Sequence, residues 1–129
     1  MDKGNVSDFP LGEFIGMSIE RPSPGRAVAR TTTHGAHHNP HGFVHGGVVF
    51  TLIDTSMGAA VMSMLDGGKR CSTIECQVRF LRPVINDELV CETTVIKPGN
   101  RVFHLESKVS TPDGKLVATG TGSFAVIDL

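Results

Sequence analysis

Five histidines, His34, His37, His38, His41 and His45, crowd residues 34–45 of the stretch "HGAHHNPHGFVHGG", and Asp54 follows nine residues after the last of them. These residue types could do three kinds of chemistry. Imidazoles suit zinc, copper or iron, and loop histidines could converge with Asp54; the spacings, however, are not those of a zinc finger and no cysteine lies nearby. A nucleophile could be paired with a histidine, yet "GTGSFA" and "TSMGAA" are not the GxSxG elbow of a serine hydrolase. Cys–His chemistry has only Cys71, Cys76 and Cys91 to draw on, an odd set with no CxxC pair.

The third possibility moves the chemistry off the histidines. Asp54 is the only formal charge in "GFVHGGVVFTLIDTSMGAAVMSML", residues 42–65. A carboxylate in so apolar a segment either accepts hydrogen bonds from a neighbouring serine or loop amide, or faces a cleft and works as a general base or nucleophile. The "HGG" at 45–47 starts the same segment with unobstructed backbone amides, where free N–H groups and the positive end of a helix dipole favour an anion or a developing oxyanion. Tight packing is the other use for such a glycine pair.

The elements that must hold these groups follow from composition and periodicity. The 129 residues, 40% hydrophobic and 19% charged with a net charge of -1, suit one domain with its own core and exclude a disordered chain or a nucleic-acid binder. The start, "MDKGNVSDFP", lacks the basic and apolar run of a secretory signal, so reduced thiols and a cytoplasmic location are expected. Residues 42–65 are long enough to cross a bilayer, but Asp54 near the middle, with Gly46, Gly47 and Gly58 and no flanking basic cluster, fits a buried helix of a non-membrane protein better.

Glu13–Glu20 and Arg26–Thr33 read as strands joined across "RPSPG", and His34–Val44, with Pro40 and Gly42, reads as a loop. The helix runs from about Gly46 to Leu65, with Val48, Val49, Leu52, Ile53, Met57, Ala60, Val61 and Met64 covering most of its circumference. Four strands follow: "STIECQVRF", Glu88–Lys97, "RVFHLESKVS" and "KLVATGTGSFAVI", with "PGN" and "PDG" marking hairpin turns. Short connections imply an antiparallel meander. A curved sheet wrapped around one helix covers only one side of it, so an α+β architecture and a homo-oligomer are expected.

Geometry adds a condition. Eight residues separate Gly46 from Asp54, about 12 Å along a helix axis, so one carbonyl cannot be polarised by the first and attacked through the second within one chain. Two antiparallel helices from different subunits could bring them together.

The segment "NPHGFVHGGVVFTLIDTSMGAA" resembles the signature of hotdog-fold acyl-CoA thioesterases of the phenylacetate-pathway (PaaI-like) type, and the likeness continues through "VRFLRPV" and "GKLVATGTGSFAV", from about Glu13 to the C-terminus. The resemblance implies a hotdog domain over 13–129 behind a flexible segment at 1–12, no metal or other cofactor, and a homodimer assembling to a homotetramer. Its implied substrate is an acyl- or aryl-CoA, cleaved to the free acid and CoA. Carried over position by position, it assigns Asn39 and Gly46 to polarising the thioester carbonyl and Asp54 to the role of base or nucleophile. Ser72, eighteen residues after Asp54 and in the alternation phase of Ile74 and Cys76, would hold the water, and His45 would position the loop or the thioester. Gly47, Val49 and Phe50 would contact substrate, while Arg79, Arg82 and Arg101 are candidates for the CoA phosphates. Two other classes remain open: a hotdog enoyl-CoA hydratase or dehydratase, which would promote His45 or His41, and a non-catalytic acyl-CoA-binding module.

Overall fold

The computed structural model describes residues 9–128. Helix α1 (Pro10–Ile15) and strands β1 (Met17–Glu20) and β2 (Arg26–Thr32) come first; a 3-10 turn at Gly35–His37 lies in the loop before helix α2 (Gly46–Met62). Strands β3 (Lys69–Phe80), β4 (Glu88–Lys97), β5 (Val102–Ser110) and β6 (Leu116–Asp128) complete the chain. All six strands form one antiparallel sheet in the order β1-β2-β4-β5-β6-β3, and α2 packs against every one of them. This is the wrapped sheet that the hotdog resemblance implies.

Two expectations change. The run Glu13–Glu20 is not one strand: Pro10 opens a helical turn, where its missing N–H costs nothing, and Gly16 closes it in the left-handed region at φ 83° before β1 begins. Helix α1 thus starts inside the segment expected to be flexible at 1–12, of which residues 1–8 lie outside the described residues. The four late strands are also not a simple meander. β4, β5 and β6 are neighbours, but β3 pairs with β6 and becomes an edge, while β4 sits beside β2. Between β3 and β4 runs "LRPVIND", residues 81–87, too long for the two-residue hairpin that would keep them paired.

The core is the concave side of the sheet closed by α2. Leu52, Ile53, Met57, Ala60 and Val61 are fully buried against Leu89, Cys91, Leu105, Val109 and Ala118. The helix is not enclosed all round: Gly47, Phe50, Thr51, Asp54, Thr55, Gly58 and Met62 form a stripe at helical spacing that the sheet leaves uncovered or half-covered. The helix ends at Met62, three residues before the expected Leu65, as Ser63 donates to the Ala60 carbonyl and accepts from the Gly25 amide.

β6 permits this close fit. A Cβ on Gly120 would lie 3.1 Å from Cγ2 of Ile53, and one on Gly122 only 2.7 Å from Sδ of Met57. Gly122→Val is therefore expected to lower the urea midpoint with an unchanged slope, by about 1–3 kcal/mol of overpacking.

Candidate active site

The histidine-rich loop is folded by its own side chains. His34 Nδ1 accepts from the Ala36 amide at 3.3 Å, and His37 Nδ1 accepts from the His34 amide at 3.2 Å. His37 is buried, with Nε2 2.9 Å from the Ile15 carbonyl, so that nitrogen carries the proton and ties the loop to the end of α1. His38 Nε2 lies 2.6 Å from the Ile85 carbonyl and 2.9 Å from Asn86 Oδ1, tying the loop to the β3–β4 connection. His37 and His38 thus hold the loop against its neighbours. Among the described residues no three His, Cys, Asp or Glu side chains come together in a way that could hold a metal ion.

Asn39 organises the next turn. Its Oδ1 accepts from the His41 amide at 2.9 Å and the Phe43 amide at 3.1 Å, an Asx arrangement that leaves the side-chain NH2 as the available donor. The chain then enters α2 through His45, whose Nδ1 caps the helix by accepting from the Gly47 amide at 2.7 Å. The two glycine amides are therefore unequal: Gly47 spends its N–H on the cap, whereas among the described residues the N–H of Gly46 has no acceptor. Asn39, Gly46 and Val49 line one cleft of about 300 Å³ with Phe43, Phe80 and Arg82.

Asp54 lies two helical turns further on, half-buried on the uncovered stripe, and does not line that cleft. Its partner differs from the expected one. Thr73 Oγ1 donates to Asp54 Oδ1 at 2.7 Å, while Ser72 is exposed on the other face of the sheet. The cause is a β-bulge: the β3–β6 register shifts between Thr73 and Glu75, leaving Ile74 unpaired and 55% exposed. Beyond the bulge Cys76 and Val78 face the core as their alternation requires, but before it the inward phase belongs to Cys71 and Thr73. Thr73 pairs with buried Phe124 and Ser72 with Ala125, and opposed residues share a face. An extra residue in one strand has no signature in alternation counted from one end.

The cysteines stay protonated at neutral pH. Burial, and then the charge of Asp54, raises the thiol pKa of Cys71, and the same causes with Glu75 push Cys76 up to about 11; burial takes Cys91 to about 11 as well. A thiolate nucleophile is disfavoured at all three positions. Of the arginines, Arg82 lines the cleft; Arg79 faces a separate cleft of about 430 Å³ on the convex side of the sheet, with Arg26, Glu92, Glu106 and Lys108. Arg101 lies at the other end of β6, where its carbonyl accepts from the Val126 amide, and Phe50 is 38% exposed on the helix rather than in the cleft.

Known proteins share this fold. A Halobacterium salinarum protein to which an esterase activity is ascribed is 38% identical over 94% of this chain and 87% of its own length. Human acyl-coenzyme A thioesterase 13 is 25% identical over 93% of the chain and 84% of its own length. The solved structure of the E. coli PaaI protein from the phenylacetic acid degradation operon superposes with a TM-score of 0.86 at 26% identity, covering 95% of this chain and 87% of that one. No helix among the described residues is long and apolar enough to cross a membrane. With residues 41–118 matching the Thioesterase superfamily, the chain belongs to that superfamily and is a thioester hydrolase of the hotdog fold.

Proposed function

We propose that this protein hydrolyses acyl-CoA to the free acid and CoA at a site built by two copies of the chain. The observation that carries the reading is the unpartnered Gly46 N–H beside Asn39 in an apolar cleft, a ready hydrogen-bond donor at the positive end of a 17-residue helix. The thioester carbonyl sits on this amide and the Asn39 NH2. Asp54 takes a proton from water as its oxygen adds to the carbonyl carbon. The tetrahedral oxyanion collapses, the C–S bond breaks, and the thiolate of CoA leaves and takes up a proton.

The acid and the oxyanion hole come from different copies, since eight helical residues keep Gly46 and Asp54 of one chain about 12 Å apart along the axis. The uncovered stripe of α2, which carries Asp54, and the unpaired edge of the 12-residue strand β3 beside it supply a surface for a second copy. The convex face, with Arg26, Arg79 and Lys108 beside Glu92 and Glu106, supports a further pairing of dimers into a tetramer. Thr73 is a positioning residue: its hydroxyl fixes one oxygen of Asp54 and leaves the other for water. Arg82 faces the CoA phosphates, His45 holds the helix start, and the free cysteines agree with a cytoplasmic setting.

Thiol release from a panel of acyl-CoAs tests the chemistry. Asp54→Ala and Asp54→Asn should lose roughly 10²–10⁴-fold in kcat; full activity in Asp54→Ala, or hydration of an enoyl-CoA without thiol release, would sink the reading. Thr73→Val should lower kcat more than it changes KM, with recovery in Thr73→Ser, and Ser72→Ala should stay near wild type; the opposite pattern would return the role to Ser72.

The shared site is tested by mixing dead variants. Gly46→Pro removes the N–H at the first helical position, which proline tolerates and for which His45, at ψ 137°, is already extended. Random exchange with Asp54→Ala subunits should restore about one quarter of the wild-type sites if each site spans two chains. No recovery after demonstrated exchange places both groups in one chain.

A further inference from the structure

We infer that Phe80 sets how much bulk is tolerated on the carbon next to the thioester carbonyl, an inference that rests on the oxyanion role proposed for Gly46. Phe80 ends β3 on the concave side, paired with the fully buried Ala118, yet its side chain is 55% exposed. Its ring does not project freely. Cε1 and Cζ lie 3.3 Å from the point that a Cβ on Gly46 would occupy, so the ring edge lies beside the residue whose N–H has no acceptor among the described residues.

The consequence is steric. An oxyanion held by that N–H at about 2.9 Å brings the carbonyl carbon to within roughly 4 Å of the Gly46 nitrogen, so one of the two groups on that carbon comes against the Phe80 ring. The sulfur side continues into the polar arm of CoA and runs toward Arg82, the one charged residue lining the cleft among the described residues. The acyl side is left facing Phe80, Phe43, Val49 and Val84. Toward the helix the ring has little room: a single added carbon at residue 46 would already lie 3.3 Å from it and push it by a few tenths of an ångström. A methylene passes this wall, and a branched carbon meets it.

The test compares kcat/KM for matched straight-chain and 2-methyl-branched acyl-CoAs of short and medium length. Wild type should favour the straight chain roughly tenfold or more, the scale on which one methyl group is discriminated in a tight pocket. Phe80→Ala should bring the ratio near one by raising kcat/KM for the branched member, and Phe80→Leu should fall between, which keeps the test open if the alanine variant folds poorly. Gly46→Ala retains the N–H but crowds the ring and pushes it toward the acyl side; it should lower activity, most on the branched substrate, and Gly46→Ala/Phe80→Ala should regain it. An unchanged ratio in active Phe80 variants, or no preference in wild type, overturns the role of Phe80 while leaving the hydrolase reading intact. Absence of thiol release by wild type from any member overturns the hydrolase reading itself.

Discussion

The site depends on how closely β6 lets the central helix approach. With no side chains at Gly120 and Gly122, Ile53 and Met57 press against the strand backbone, and the helix is held at a fixed rotation in the trough of the sheet. That rotation buries Leu52, Ile53, Met57 and Val61 and, by the period of the helix, turns Asp54 to the uncovered side. The same packing that stabilises the chain therefore presents the carboxylate on the helix face that the sheet leaves uncovered. Burying Asp54 without a partner would have cost several kcal/mol, and its half-buried position with the Thr73 hydroxyl bonded to it avoids that cost.

Polar groups around the helix are apportioned with little redundancy. His45 takes the Gly47 amide, Asn39 takes two loop amides through one oxygen, and Thr73 takes one oxygen of Asp54. The Asn39 NH2, the second Asp54 oxygen and the neighbouring Gly46 amide have no partner among the described residues, and the buried Ser56 hydroxyl of the same helix has none either. Four of the five loop histidines, His34, His37, His38 and His45, act as hydrogen-bond partners for backbone, and they hold a short, glycine- and proline-containing turn in one shape.

The negative field of Asp54 also reaches the neighbouring thiols. It adds to burial in keeping Cys71 and Cys76 protonated, with Glu75 contributing at Cys76, so thiolate nucleophiles are suppressed beside the helix carboxylate.

Much of this was legible in the order of residues. The mid-helix charge, the glycines opening α2, the turn signals after β4 and β5, and the "HGG" with its upstream asparagine are local features, and local physics reads them: capping, propensity, turn chemistry and amphipathic period. The order of strands and the partner of Asp54 were not local. β3 leaves its sequence neighbour because the sheet must close over the helix, and a single bulged residue, Ile74, moves the inward phase from Ser72 to Thr73. Strand alternation is counted modulo two, so one unpaired residue inverts it, and only the pairing with β6 reveals where that residue falls. The sequence alone determined which chemical groups are available and on which elements they ride; the tertiary structure decided which of them meet, because meeting is set by register and packing between segments far apart in the chain.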